Sequence, residues 1–570
     1  MKKMKNNKTL VLIMFLLGIF IGALDSGIVS PARTVIANSL SVSPNDNIWM
    51  ITIYTLAYAV SMPIIGKISD RYGKKKLFTF SIVVFGIGSL LCGLSNYFGG
   101  FTFLLVSRVI QAIGGGGIIP IATAYIGESF PPEKRGTALG LVGAIFGIAN
   151  ILGPTVGSAL LSLSGNSNWG VLFLINVPIC IIVVIASMTI KEEKVTKAPT
   201  KMDIKGSIVV TALILSIMYA LTNLKFHDFA NSIKSTNVYP YLIAFIILLP
   251  IFFAIERKAE DPVINLKYFT NRQIALTLSI GFITGAGMMG IVFIPQFGEN
   301  VLKLKTGSGG YLVTLMAIFA GFCAPLGGRL IDKFSAKFIL ILGYSCTLIG
   351  ALIMATLVIS YPSIITLILG LAFMGLGMGF TMGTPLNYLI QTNVSENETA
   401  SAQATLSLIR SIGVAISPNL LINFITDAAN SLQGNLMALM PKISMGANAP
   451  AQSFGSGSIS PEALASLQSA DVTTVVDVLK NFASSMIDKV APMIKQGLSK
   501  SLPQGVSPDA ALATMKTDYL SQVESSRAVL ENTFQTTLNN GFSKLFLGAA
   551  VIAFIGLVLS ILLKGKTKEA

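Results

Sequence analysis

Fourteen apolar runs, each about long enough to cross a bilayer, constrain this chain more than any other feature. They fall near 9–31, 48–66, 77–95, 101–126, 136–162, 170–190, 206–224, 239–256, 273–297, 310–329, 337–359, 363–390, 400–426 and 541–563. About 20 apolar residues in a helix span the hydrocarbon of a membrane. Only 12% of the residues are charged and the mean hydropathy is +0.72, against roughly 25% charged in a soluble domain. A secretory signal is the competing reading of the first run, which follows "MKKMKNNK". No small-residue cleavage site ends that run, and many similar runs follow it. The expectation is an all-α, polytopic membrane protein.

Charge then orients the spans. Lys and Arg outnumber Asp and Glu by 41 to 26, but the excess lies in short gaps between apolar runs rather than on one basic face. That distribution follows the positive-inside rule and excludes a nucleic-acid surface. The lysine-rich N-terminus is expected in the cytoplasm. Alternation puts "GKISDRYGKKK", "PPEKR", "KEEKVTKAPTKMDIK", "ERKAEDPVINLKYFTNRQ", "GRLIDKFSAK", "NVSENET" and the tail "KGKTKEA" on the same side. All but "NVSENET" are rich in bases, whereas the opposite gaps "SNYFGG", "SGNSNWG" and "SYPS" carry almost no charge. Both termini are therefore expected inside, in a bacterial cell membrane. Cys92, Cys180, Cys323 and Cys346 sit singly in apolar runs, and His227 lies alone in a polar loop. No metal spacing, disulfide framework or nucleophile–base grouping is visible, so neither an enzyme nor a metal protein is expected.

One outer gap is unlike the rest. Residues 427–539 separate the last two spans, and "GANAPAQSFGSGSIS" within them has the composition of a flexible linker. Ser460-Pro461-Glu462 and Ser507-Pro508-Asp509 each offer an N-cap serine, a proline at the first helical position and an early acid. Val472, Val475, Leu479, Phe482, Met486, Val490, Ile494 and Leu498 recur every three or four residues. So do Met515, Tyr519, Val523, Leu530, Phe534 and Leu538, with one longer step. These stripes predict an extracellular antiparallel helical pair, its second helix running on into the final span. A solvated spacer is the alternative.

The chain also repeats itself. "GKISDRYGKKKLF", Gly66–Phe78, joins spans 2 and 3, and its glycine-to-aspartate spacing returns 262 residues on in "GRLIDKF", Gly328–Phe334. Pro120 and Glu133 are likewise matched by Pro385 and Glu398, 265 residues on. Spans 7 and 8 then become an insertion between two six-span units. The expected domains are 1–190, a six-helix bundle; 191–256, a two-helix linker; 257–426, helices 9–13; 427–539, the outer insertion; and 540–570, helix 14 with its tail. Parallel repeats are a known transporter plan.

These motifs resemble those of the major facilitator superfamily, in its fourteen-helix drug:proton antiporter branch. Gly66, Asp70, Arg71, Gly73 and Lys74 are in register with the family's motif G-x-L-a-D-r-x-G-r-k. "RVIQAIGGGG" is similar to the fourth-helix motif through Arg108, Gln111 and Gly114, with Ala112 in place of a glycine. "GIANILGPTVGSAL" is similar to the fifth-helix antiporter motif through Gly147, Gly153, Pro154 and Gly157. "LDSGIVSPARTVI" matches the first-helix motif at Asp25, Ile28, Val29 and Ala32, and departs from it at Gly27, Ser30, Pro31, Arg33 and Thr34. The resemblance implies the major-facilitator fold with 14 transmembrane helices, 6+2+6, and the insertion between helices 13 and 14. It implies that Asp70 meets the start of span 13 near Thr399–Ser401 as a cytoplasmic gate, with ion pairs from Arg71 and Lys74 and tight turns at Gly66 and Gly73. Asp332 would mirror it near Pro132–Gly136. The plainer alternative is that these charges only enforce topology.

Ionisable groups inside spans default to function. Asp25 is the expected proton carrier, with Arg108 modulating it; a static pair joining spans 1 and 4 is the alternative. Arg33 lies near the outer end of its span. Gly143, Gly147, Gly153, Pro154 and Gly157 would form a pivot against the opposite half, or simply pack. Gln111, Asn150, Gln296, Asn387 and Arg410 are the polar candidates for a cavity, and 21 Met and 33 Phe suit an adaptable apolar pocket. The expected activity is export of amphipathic or lipophilic compounds, drugs among them, by a monomer in exchange for protons. "GGGG" at 114–117 lacks the Lys-Ser/Thr of a phosphate loop, so no cofactor is expected beyond the proton gradient. Partners are the small amphipathic or lipidic substrate, protons and membrane lipid. Alternatives are export of an endogenous anionic lipid, fatty acid or cell-envelope precursor, or a non-transporting sensor.

Overall fold

Among the described residues every regular element is helical. The structure is a computed structural model that describes residues 8–29, 32–190, 203–288, 293–304, 309–441, 474–501 and 507–564. The long helices of the first half are α1 (Lys8–Ile28), α2 (Trp49–Tyr72), α3 (Lys74–Leu94), α4 (Gly100–Ser129), α5 (Pro132–Ser164) and α6 (Val171–Thr189). Two more, α7 (Ile204–Asn223) and α8 (Tyr239–Glu256), follow. The second half holds α9 (Arg272–Met288), α10 (Gly310–Lys333), α11 (Ala336–Ser360), α12 (Ile364–Asn393) and α13 (Thr399–Leu439). Then come α14 (Val475–Ser501), α15 (Pro508–Ser525) and α16 (Arg527–Leu562).

Thirteen described helices are long and apolar enough to cross a membrane: α1–α8, α10–α13 and α16. The expected ninth span is represented by α9, seventeen residues, and a short helix at Ile294–Asn300, with 289–292 outside the described residues. Helix α9 packs between α13 and α16, as a spanning helix of that half would. Span 1 is shorter than expected. It ends at Ile28 and a separate helix covers Arg33–Ser39, while Ser30 and Pro31 lie outside the described residues.

The repeat appears as packing. α2 lies along α13, and its counterpart α10 lies along α5, so each half lends its second helix to the other half's fifth. α7 covers the α2–α13 pair from one side. Asn419 of α13 donates to the carbonyls of Leu221 and Thr222 at 3.0 Å each, and the Trp49 ring stacks 5.8 Å from that of Tyr219.

Helices 13 and 16 overrun the expected spans 400–426 and 541–563. At 1.5 Å per residue the 41 residues of α13 extend about 60 Å, twice a hydrocarbon core. They continue because a second, smaller core receives them. Leu432 and Leu436 of α13 pack with Val475, Leu479 and Ile487 of α14, Tyr519 and Val523 of α15, and Leu530 and Phe534 of α16. The buried stripe of α14 runs through Ala483 and Ile487, one position round from the predicted Phe482 and Met486. Helix α15 starts at Pro508 behind Ser507, as the N-terminal signal predicts. It does not run into the last span. The chain breaks at Ser526, inside the longer step between Val523 and Leu530. The helix start at Ser460–Glu462, the linker before it and Val472 lie outside the described residues.

Ion pairs fix the register of this second bundle. Asp477, Lys480, Asp488 and Lys495 descending α14 meet Arg527, Glu524, Lys516 and Asp509 in reverse order, a strictly antiparallel match. Hydrogen bonds from Arg527, then Lys480, hold the Glu524 carboxyl down to about 2. These pairs are exposed, so they select register while the apolar core supplies stability. Leu479 is fully buried in that core. Leu479→Ala should therefore cost the second bundle about 2–5 kcal/mol. Hydrogen exchange on the intact protein should show faster exchange in α14 and α15 with unchanged protection in α1–α6; unchanged α14 would contradict this assignment.

Candidate functional site

Two carboxylates cross from one half to the other in the same way. Asp70, near the end of α2, accepts the backbone N–H of Ala400 at 3.0 Å on one oxygen. Its other oxygen accepts the N–H and hydroxyl of Ser401 at 2.7 and 2.8 Å. Asp332, near the end of α10, accepts the N–H of Gly136 at 2.8 Å and the N–H and hydroxyl of Thr137 at 3.0 and 2.8 Å. Each carboxylate is set at the positive end of a helix belonging to the other half, where an anion is stabilised. The glycine four residues before each aspartate permits the approach. A side chain at Gly66 would lie 2.6 Å from Ala404 Cβ and 2.9 Å from the Ala400 carbonyl; one at Gly328 would lie 3.0 Å from Gly140 Cα. Gly66 thus serves helix contact rather than the turn. The turn is made by Gly73, whose φ of +107° closes α2.

Lys74 surrounds the first contact. It pairs with Asp70 at 3.3 Å and Glu128 at 3.0 Å, and donates to the Glu396 carbonyl at 3.3 Å. Thr399 donates to Glu128. Arg71 does not join them. Among the described residues it has no ion pair, its Nε and Nη1 are buried without a partner, and its guanidinium lies 5.3 Å from the Tyr72 ring. One residue from Asp70, it leaves the helix at a different angle and misses the interface. On the other side of the contact, Glu398 accepts from Asn265 at 3.2 Å and from Tyr268 at 3.4 Å. Burial, then the Glu398 and Asp70 carboxylates, push the Tyr268 phenol above its usual range, so it stays a donor.

Asp25 is fully buried in α1 and is held by three side chains from two other helices. Arg108 of α4 donates at 3.0 Å to one oxygen; Gln111 of α4 and Asn176 of α6 each donate at 2.8 Å to the other. Ser89 of α3 accepts from Gln111 at 2.8 Å, and Arg108 also donates to Gln111 at 2.5 Å. The Arg108 guanidinium lies 3.9 Å from the centre of the Tyr54 ring on α2 and 5.5 Å from that of Phe173. Gly88 allows this close packing: a side chain there would sit 2.6 Å from Gln111 Cβ. The structure therefore brings Asp25, Arg108 and Gln111 together, and moves Gln111 from the expected cavity into the carboxylate network. Sequence reasoning missed Asn176, Ser89 and Tyr54. Asn176 alone left a signal, an amide within the apolar "VLFLINVPICII".

The expected pivot divides. Upstream glycines meet the opposite half: Gly143 faces Gly383, where a side chain would come within 3.1 Å of its Cα, and Gly140 faces Ala324 and Gly328. Gly153 and Pro154 instead pack on Gly27 of α1 in their own half, Gly157 is buried, and Gly147 faces open space. The cavity set also separates. Asn150 accepts from Ser26 at 3.3 Å and donates to the Phe146 carbonyl. Asn387 is buried in α12, where its carbonyl accepts from Gln403 at 2.9 Å. Gln296 is exposed on the short helix after α9. Arg410, in α13, forms no ion pair among the described residues. No group of described residues could hold a metal ion.

Two bundles exchanging their second and fifth helices, with a buried acid–base network in one of them, define a membrane-embedded transporter of the major facilitator type. The sequence profile of the Major Facilitator Superfamily matches residues 15–418, and the chain belongs to that family. It is 39% identical to an uncharacterised MFS-type transporter, YfiU, of Bacillus subtilis (strain 168), over 72% of this chain and 79% of that one. It is 31% identical to multidrug resistance protein 3 of the same organism, over 75% and 82%, and 30% identical to the riboflavin transporter RibZ of Clostridioides difficile (strain 630), over 74% and 89%. Among solved structures, the proton:xylose symporter XylE superposes with a TM-score of 0.52 at 14% identity, over 75% of this chain and 91% of that one. That likeness concerns the fold alone.

The Asp70 contact carries a measurable expectation. Asp70→Asn removes the charge at the helix end, which typically stabilises by about 0.3–1 kcal/mol and up to about 2 when partly buried. Spin labels at Lys134 and Phe338, exposed on opposite halves, in a background without the four cysteines, would report the separation. The variant should populate longer distances between about twofold and thirtyfold more than the parent. Superimposable distributions would mean the contact does not hold the halves.

Proposed function

We propose that the protein is a proton-coupled antiporter that exports amphipathic or lipophilic compounds by alternating access, with both termini in the cytoplasm. The carrying observation is Asp25, a carboxylate sealed at 0% exposure within a span and met by three donors. A carboxylate can accept all three. A carboxylic acid must aim its own O–H at an acceptor, so protonation of Asp25 requires Arg108, Gln111 or Asn176 to turn or withdraw. Gaining a proton therefore loosens α1 from α4 or α6, and losing it tightens them again. Two faces of the first half are thereby tied to one proton.

The closed contacts at Asp70 and Asp332 supply the other half of the cycle. With both made, the halves are joined at the end of the bundle that carries Lys8 and Lys564, and Asp25 has no water contact. Exchange of its proton belongs to another arrangement, in which the halves have rocked. Relatives named for multidrug resistance support an apolar, adaptable cargo. The proton gradient is the energy source in this reading, and no cofactor enters it.

Proteoliposomes holding an internal pH dye provide the test, with tetraphenylphosphonium as a lipophilic cation. Adding it should move protons across vesicles containing the wild-type protein. Asp25→Asn should abolish that movement and Asp25→Glu should retain part of it, with all three proteins eluting alike in detergent. Proton movement that persists in Asp25→Asn would remove Asp25 from the mechanism. Cation uptake without proton movement would remove the coupling.

A further inference from the structure

Arg410 is the intramembrane cation that this mechanism leaves unused. It lies eleven residues into α13, about 17 Å along the helix and so near the middle of a bilayer. Its Nε and Nη2 are buried without a hydrogen-bond partner, while the side chain as a whole remains partly accessible. Tyr344 of α11 and Tyr58 of α2 lie near it, and neither is a carboxylate that could serve as its counter-ion. Asp25 and Arg108 cancel each other, so the membrane interior here keeps one uncompensated positive charge. Such a charge is costly at a helix centre, and an unpaired buried cation is the costly form of an ion pair.

An apolar recess in the second half is reached from it through α9, whose Thr284 lines the recess beside the Gly285 that packs on Arg410. Tyr344 and Thr284, joined hydroxyl to hydroxyl at 2.8 Å, form part of its wall. Met288, Met316, Met374 and Met378 supply much of the remainder. Gly285, the next residue to Thr284, lets α9 pack directly on α13 at Arg410: a side chain there would lie 2.1 Å from the Arg410 carbonyl oxygen and 3.2 Å from its Cγ. Thioethers fill irregular space and adapt to differing shapes. The juxtaposition is a cation without a partner one helix contact away from a soft apolar hollow, within the second half.

We infer that the cargo site takes amphiphilic anions, with a carboxylate or phosphate oxygen on Arg410 and the apolar body in the methionine-lined recess. This rests on the transport reading above and narrows its substrate class. Tyr58 stacks on Tyr54, ring centres 5.8 Å apart, and Tyr54 lies against Arg108. An anion bound at Arg410 thus sits one aromatic pair away from the Asp25 network.

Equilibrium dialysis of the full-length protein in detergent separates this from the antiport question, because it needs no gradient. The probes share one ring and differ in head group: 1-naphthylacetate, 1-naphthyl phosphate and a naphthylmethyl-trimethylammonium. Wild type should bind at least one anion tenfold or more tightly than the cation, with the carboxylate and phosphate arms showing which acid fits. Arg410→Gln should weaken the anions by about tenfold or more, the order of one charge-assisted hydrogen bond, and leave the cation unchanged; Arg410→Lys should restore part. Should Arg410→Gln not fold, the wild-type ranking still decides. Equal affinity for all three heads, or equal loss of all three in Arg410→Gln, would overturn the site. An anion that binds at Arg410 but drives no protons in proteoliposomes would overturn the antiport reading and leave this one standing.

Discussion

A carboxylate can bind the start of a helix in the opposite half only if the two backbones come almost into contact, and the rest of this architecture follows from that requirement. At Asp70 and Asp332 the oxygens reach backbone N–H groups at 2.7–3.0 Å. A β-carbon at Gly66 or Gly328 would prevent it. The repeated glycine-to-aspartate spacing is thus one device: one turn of helix to bring the backbones together, the next to deliver the charge. Each bond set is modest, since charge at a helix end typically contributes about 0.3–2 kcal/mol. Modesty is what a reversible contact needs. A much stronger one would hold a single state.

Helix α13 gathers functions that sequence order keeps apart. Its first turn receives Asp70, its middle carries Arg410, Asn419 ties it to α7, and its last turns enter the second bundle. Because helix and bundle share one continuous hydrogen-bonded backbone, the second core must follow any tilt of α13. The same holds for α16, which leaves that core for the membrane without interruption after Ser526. The second bundle is therefore joined to the second half at two points, and a solvated spacer would not bury Leu436, Leu479 and Phe534.

Much of the fold was legible because it is written in one dimension. Apolar runs of spanning length, their charged gaps and a repeated motif depend on composition and spacing, which lipid constrains strongly. Asp25 and Arg108 were legible for the same reason: a charge inside a span announces itself. What surrounds them was not. Asn176, Ser89 and Tyr54 join the network through the rotation of α6, α3 and α2 about their axes, which tertiary packing decides. Arg71 failed for that reason too, one residue and so about 100° round the helix from Asp70. Gly147 and Gly153 share a motif but face open space and α1. The overrun of α13 was hidden because an apolar stripe facing another helix reads like the end of a span.

The two cations distinguish the halves more sharply than the shared fold does. Arg108 is satisfied: it has a carboxylate, an amide and an aromatic face. Arg410 is not: its Nε and Nη2 are buried without a hydrogen-bond partner. A proton arriving at Asp25 would remove the negative partner of Arg108, leaving two like charges on either side of the Tyr54–Tyr58 pair. In a medium of low dielectric such charges repel far more than in water. An anion leaving Arg410 would have the same effect from the other side. Proton and anion then act on one electrostatic balance, carried by α2, the helix that also bears Asp70. Spatial adjacency alone does not establish coupling. In the proposed cycle both sites would bear on α2, whose Asp70 contact is to be made in one arrangement and broken in the other, and that is the physical form exchange requires.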